Sequence, residues 1–93
     1  MDNFKDKIVW ITGASSGIGE ALAKSFASAG AHIILSGRRV EALEAVAATI
    51  KTDTLIIPFE VTDYAALAGH VETAWGWKGR VDIIVNNAGV SRR

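Results

Sequence analysis

Apolar and polar residues along these 93 positions fall into blocks whose period changes in a regular way. Lys7 to Thr12 (KIVWIT) is a nearly continuous β-branched apolar run, the pattern of a strand covered on both faces. Beyond Gly13 the spacing changes. Ile18, Ala21, Leu22, Phe26 and Ala29 recur as one helical stripe, and Gly30 stands where a C′ glycine would end that helix. His32 to Leu35 predicts a second strand, closed by Ser36 and Gly37. Val40, Leu43, Ala47 and Ile50 predict a second helix, with Glu41 and Glu44 in its first turns, where the dipole favours anions. Leu55 to Phe59 predicts a third strand, with Pro58 near an edge or at a position that donates no ladder bond. Tyr64, Leu67, Val71 and Trp75 predict a third helix capped by Thr62 or Asp63, and Val81 to Val85 a fourth strand.

Strands alternating with helices through short connections imply the α/β class: a four-stranded parallel sheet with right-handed crossovers and helices on both faces. The expected strand order is 3-2-1-4, with a ligand crevice at the carboxyl ends of strands 1 and 4, where the order reverses. Residues 1–93 read as one unit without linker or repeat. The absence of cysteine excludes a disulfide framework, a thiolate metal site and a Cys nucleophile. Ten basic against ten acidic residues argue against a nucleic-acid partner. The first apolar run, Ile8 to Ile11, is too short for a signal core or membrane span, so a cytoplasmic protein without membrane contact is expected.

The chemistry concentrates where nine glycines are not scattered but grouped. Between strand 1 and helix 1 the chain reads TGASSGIG from Thr12 to Gly19. A loop there must turn sharply, let backbone approach a pyrophosphate, and let the helix pack close to the sheet. Gly13, Gly17 and Gly19 are expected to do this because a Cβ would collide at each. Phosphates would lie at the helix N-terminus, with Ser15 and Ser16 as hydroxyl donors. The same stretch also fits G-x-S-x-G, the nucleophile elbow of α/β-hydrolases, with Ser15 as nucleophile and Asp53 or Asp63 followed by His70 completing a triad. That alternative leaves Gly19 and the Asn86-Asn87 segment without a role. His32 and His70 have no partners at ligand spacing and read as structural, so no metal site is expected. Trp10 and Trp75 read as core.

With the TGASSGIG loop and the NNAG of Asn86 to Gly89 both in view, the chain resembles the short-chain dehydrogenase/reductase family. The intermediate landmarks, Glu60 to Asp63 (EVTD) and Gly79 to Asp82 (GRVD), agree with it. The resemblance spans all 93 residues but only the first part of the family's fold, and it implies a partial Rossmann fold. It also implies an adenosine site in which Gly13, Ala14, Ser15, Ser16, Gly17, Ile18 and Gly19 meet phosphates and ribose. Asn87, Ala88 and Gly89 would lie beside the ribose, and Asn86 would brace the sheet. Glu60 stands where the family usually has Asp or Asn to accept from the adenine amino group, and Val61 follows with a backbone contact. Strand 2 ends in Ser36-Gly37-Arg38-Arg39 with no carboxylate to repel a phosphate. A guanidinium pairs with phosphate bidentately. Arg38 as the 2′-phosphate ligand, assisted by Arg39, therefore favours NADP over NAD, against the plainer reading of a solvated pair closing a loop. The stretch Trp75 to Gly79 has no family role.

The family's catalytic Tyr-x-x-x-Lys is missing: the one tyrosine is Tyr64, and Ala68 stands four residues on. The resemblance therefore implies the cofactor-binding fragment of an NADP-dependent carbonyl/alcohol oxidoreductase, with no catalytic residue in this chain and no turnover of its own. A stand-alone dinucleotide-binding module is the alternative. Strand 4 at an open edge invites self-association.

Overall fold

The computed structural model describes residues 3–59 and 64–87. Seven elements follow in order: β1 (Ile8–Thr12), α1 (Gly17–Ser28), β2 (His32–Leu35), α2 (Val40–Ala47), β3 (Thr54–Ile56), α3 (Tyr64–Lys78) and β4 (Ile83–Asn86). All strand pairs are parallel and the order is β3-β2-β1-β4, as the alternation requires. β1 lies inside the sheet with all five residues buried, which is why its sequence is apolar without alternation. Its odd positions Val9 and Ile11 join Ile33, Leu35, Ala23, Leu43 and Val46 beneath α1 and α2. Its even positions Ile8 and Trp10 join Ile34, Ile57 and Ala74 beneath α3. Helices thus cover both faces.

The ladder continues past β3: the N–H groups of Ile57 and Phe59 donate to Leu35 O and Gly37 O, stepping over Pro58, which has none to give. α2 ends at Ala47, so Ile50 lies in the following turn rather than on the helix. The third helix is rotated from its expected stripe. His70, Ala74 and Trp77 face the sheet, whereas Leu67 and Val71 are over a third exposed, and Trp75, 39% exposed rather than core, reaches the buried Trp10 ring only by its edge. The caps expected at Thr62 or Asp63 lie outside the described residues. β4 pairs with β1 alone among the described strands, and its Ile84 is 53% exposed.

Charge gathers at the amino end of the sheet. Asp82 Oδ2 accepts from Ile8 N–H (2.8 Å), Asp82 N–H donates to Ile8 O, and Arg80 Nε lies 3.0 Å from the same carboxylate. The amide bond from Ile8, and then Arg80, hold the Asp82 carboxyl below its ordinary pKa of 3.8. Asp53 is lowered likewise, first by its hydrogen bond from Lys78 Nζ (2.6 Å) and that cation's charge. Asp53 N–H donates to His32 Nδ1 (3.1 Å), and Lys78 also lies over the Trp77 ring. The stretch Trp75–Gly79 thereby acquires a structural role: it fastens the end of α3 to the start of β3. Among the described residues no helix is long and apolar enough to cross a membrane, and no group of three or more His, Asp or Glu could hold a metal ion.

Candidate functional site

β1 ends at Thr12, and the chain leaves it through Gly13, whose φ of 64° is open to glycine at little cost. The Gly13 carbonyl organises the loop. It accepts from Ser16 N–H (3.2 Å), Ser16 Oγ–H (2.8 Å) and Asn87 Nδ2 (3.2 Å). Ser16 is the N-cap of α1, and its oxygen also accepts from Gly19 N–H (3.3 Å) and Asn87 Nδ2 (3.0 Å). One donor and two acceptor positions exhaust a serine hydroxyl. In this structure Ser16 Oγ thus spends all three positions within the loop and on Asn87, and shapes the loop.

The glycines divide by role. A Cβ on Gly19 would stand 2.2 Å from Gly13 O, so this position holds α1 against the loop. A Cβ on Gly17 would meet nothing within 4 Å among the described residues, which corrects the expected collision there. The N–H groups of Gly17 and Ile18 begin α1 and have no hydrogen-bond acceptor among the described residues. Ile18 is 64% exposed beside them. Ala14 is instead fully buried in the core under α1, its N–H donating to Ser36 O (2.9 Å).

That last bond brings the end of β2 to the loop. Gly37 lies close enough that an added Cβ would touch Ser15 Oγ at 3.4 Å. Arg38 and Arg39 follow, both exposed, Arg39 preceding α2 without a side-chain cap. Neither guanidinium is hydrogen-bonded or ion-paired to another described residue. The carboxyl end of the sheet thus joins two arginines without an ion-pair partner among the described residues to the positive end of α1, with Glu41 and Glu44 following on α2 and the described aspartates Asp6, Asp53 and Asp82 at the opposite end.

On the far side of the loop, Thr12 Oγ1 lies 3.1 Å from Asn86 Oδ1 and accepts from Asn87 N–H (3.0 Å). Asn86 therefore braces β1 against β4, and the Asn87 side chain braces the loop. Glu60, Val61, Ala88 and Gly89 lie outside the described residues. Of the triad alternative, Asp63 lies outside the described residues and Asp53 is set apart by the topology. Asp53 sits beside His32 at the amino end, roughly 13 Å of strand away from Ser15. His70 lies against the Phe59 ring at 4.9 Å. Two pairings escaped the sequence reading: Thr12 with Asn87, and buried Trp10 Nε1–H with Ser36 Oγ (2.7 Å). The signal available was a polar residue closing a buried strand in each case. An open cavity of about 480 Å³ between the ends of α1 and α2, edged by Lys24 and Lys51, lies apart from these groups.

Residues 7–93 match the short chain dehydrogenase family. The chain is 43% identical over 95 residues to a dehydrogenase/reductase SDR family protein 7-like of Anopheles gambiae, covering 94% of this chain and 30% of that protein. It superposes on 3-ketoacyl-(acyl-carrier-protein) reductase from Brucella melitensis, crystallised with NADH, with TM-score 0.88 and 37% identity, covering 98% of this chain and 37% of that one. A metagenomic short-chain oxidoreductase in complex with NADP gives TM-score 0.88 and 34% identity over 94% of this chain and 41% of that one. The chain thus spans about a third of the length of these relatives. The strand order agrees with that of the matched structures, and the chain belongs to the short-chain dehydrogenase/reductase family.

Proposed function

We propose that this chain forms the adenosine half of a dinucleotide site that prefers NADP(H) to NAD(H), in an oxidoreductase moving hydride between cofactor and a carbonyl or alcohol. The nicotinamide supplies or accepts the hydride; the residues described here bind and orient. The observation that carries the reading is the unpaired Arg38 and Arg39 beside a loop with open N–H groups at Gly17 and Ile18. The pyrophosphate would lie over Gly17, where the structure leaves room, and the 2′-phosphate would meet Arg38. Both NADH and NADP occur in the solved relatives, so the preference rests on the arginines. It is tested by titrating NADP and NAD onto the chain and onto Arg38→Ala. A hydrogen bond to a charged group contributes about 1.5–3 kcal/mol, so the variant should lose roughly 10- to 150-fold in NADP affinity and almost nothing in NAD affinity. Equal binding of both cofactors, indifferent to Arg38→Ala, would refute it.

Chemistry belongs to the longer protein in this reading. With Tyr64 followed by Ala68, the 93-residue chain is expected to oxidise no NADPH in the presence of aldehydes or ketones. Absorbance of the reduced nicotinamide checks this, and steady turnover by pure chain would overturn it. The open edge of β4 is the proposed surface for pairing with a second copy.

A further inference from the structure

Ser36 is held at three points, all of them on β1 or the glycine loop. Its N–H donates to Ile11 O and its carbonyl accepts from Ala14 N–H, both at 2.9 Å, and its hydroxyl accepts from Trp10 Nε1–H at 2.7 Å. The first two are backbone bonds that any residue could make. The third is specific to these two side chains, and both partners are buried, Ser36 completely. Trp10 is itself fixed from outside the loop. Its ring meets Trp75 of α3 edge-on and lies tilted to Phe59, both at 6.3 Å between centroids. Phe59 N–H in turn donates to Gly37 O (2.9 Å). Side chain and backbone thus converge from the α3 face on the two residues that precede Arg38.

We infer that Trp10 is a positioning residue for the 2′-phosphate: its indole N–H fixes the Ser36 hydroxyl, and through it the Ser36–Gly37 turn that presents Arg38. The inference rests on the reading that Arg38 meets that phosphate. A buried hydroxyl deprived of its donor turns to another partner, and the nearest polar groups are the backbone groups of the turn itself. An arginine two residues on then loses a defined starting point for a bidentate contact, whose strength depends on geometry. The 5′-phosphate, bound at the N-terminus of α1, does not depend on this turn.

The probes are adenosine 2′,5′-bisphosphate and 5′-AMP, titrated calorimetrically onto the full chain, onto Trp10→Phe, Ser36→Ala and their combination, and onto Arg38→Ala. Each single variant leaves one buried polar atom unpaired and should melt lower. The combination leaves none and should recover most of the melting temperature. Bisphosphate affinity should fall about tenfold in both single variants and stay low in the combination, with 5′-AMP affinity unchanged within about twofold. A bisphosphate affinity that returns with the melting temperature in the double variant would make the bond merely structural and overturn the inference. So would parallel losses for both ligands. The double variant keeps the test decisive where a single one fails to fold. If Arg38→Ala leaves the bisphosphate affinity unchanged, or the unmodified chain binds neither probe, the cofactor reading fails and takes the inference with it. If Arg38→Ala is selective and the Trp10 and Ser36 variants are not, only the positioning role fails.

Discussion

Alanine at Gly19 and alanine at Gly17 should have opposite consequences, although the two residues are only two positions apart in the same motif. At Gly19 the new Cβ would stand 2.2 Å from Gly13 O, and 2.9 Å from both Gly13 C and Ala14 Cα. All three are backbone atoms, so no side chain can swing aside. The carbonyl would have to retreat, and it is the acceptor for Ser16 N–H, Ser16 Oγ–H and Asn87 Nδ2. Overpacking of this kind costs about 1–3 kcal/mol, and each weakened hydrogen bond adds up to about 1 kcal/mol. The helical preference of alanine over glycine returns at most about 1 kcal/mol. A net loss of roughly 2–4 kcal/mol lowers the melting temperature of a chain this size by on the order of 10–25 °C. At Gly17 nothing among the described residues crowds the new methyl group within 4 Å, so stability should hold or rise by up to about 1 kcal/mol. NADP affinity should nonetheless fall, because the methyl occupies the space over which the pyrophosphate is proposed to lie. Thermal unfolding followed by circular dichroism, with calorimetric titration of NADP, measures both quantities. A Gly19→Ala chain melting within two or three degrees of the parent would refute the packing argument, and a Gly17→Ala chain binding NADP normally would refute the placement of the phosphates.

Acid should unfold the chain partly through Asp82 and Asp53, whose folded-state pKa values are held below the ordinary 3.8. The folded state binds these protons less readily, so their contribution is present above that value and is lost as pH falls through the lowered ones. Urea midpoints taken from neutral pH downward should show a shallower acid decline in the Asp53→Asn, Asp82→Asn double variant, and an unchanged decline would reject the assignment. Self-association through β4 should weaken when half-exposed Ile84 becomes charged, since a lysine on an edge strand opposes pairing. Sedimentation velocity of Ile84→Lys beside the parent chain reads this directly, and identical profiles would place any association elsewhere.

The fold was legible because its strongest signals are local. A continuous apolar run marks an interior strand, glycines mark the turn that leaves it, and the helical crossovers leave few arrangements for four strands. Pro58 was readable for the same reason, since a residue without an N–H must sit between ladder bonds. The orientation of α3 was not readable. Leu67, Val71 and Trp75 form a better apolar stripe than His70, Ala74 and Trp77, yet the buried position is Ala74, with Trp77 packed beside it and Trp75 touching Trp10 only by an edge. Within the loop, spacing identified the glycines but not their separate duties. Gly19 is crowded by the carbonyl of Gly13 and Gly17 by nothing, a difference that exists only once the chain has turned. The three partners of Ser16 within the loop and on Asn87 could not be read from spacing either. Trp10 and Ser36, 26 positions apart, carry no mutual signature in one sequence.

The bonds from Asn87 to Gly13 and Thr12 join residues 74 and 75 positions apart. Contacts of such separation form late, after the entropy of closing the intervening chain has been overcome. During synthesis, β1, α1, β2 and α2 can emerge and pair while the carbonyl at Gly13 still lacks the amide that steadies it. The loop reaches its final form only when the fourth strand has left the ribosome and docked beside the first. On the proposed reading, the loop that meets the dinucleotide is therefore completed only after Asn87 has been made, and cofactor cannot template the β1–α2 stage that precedes it.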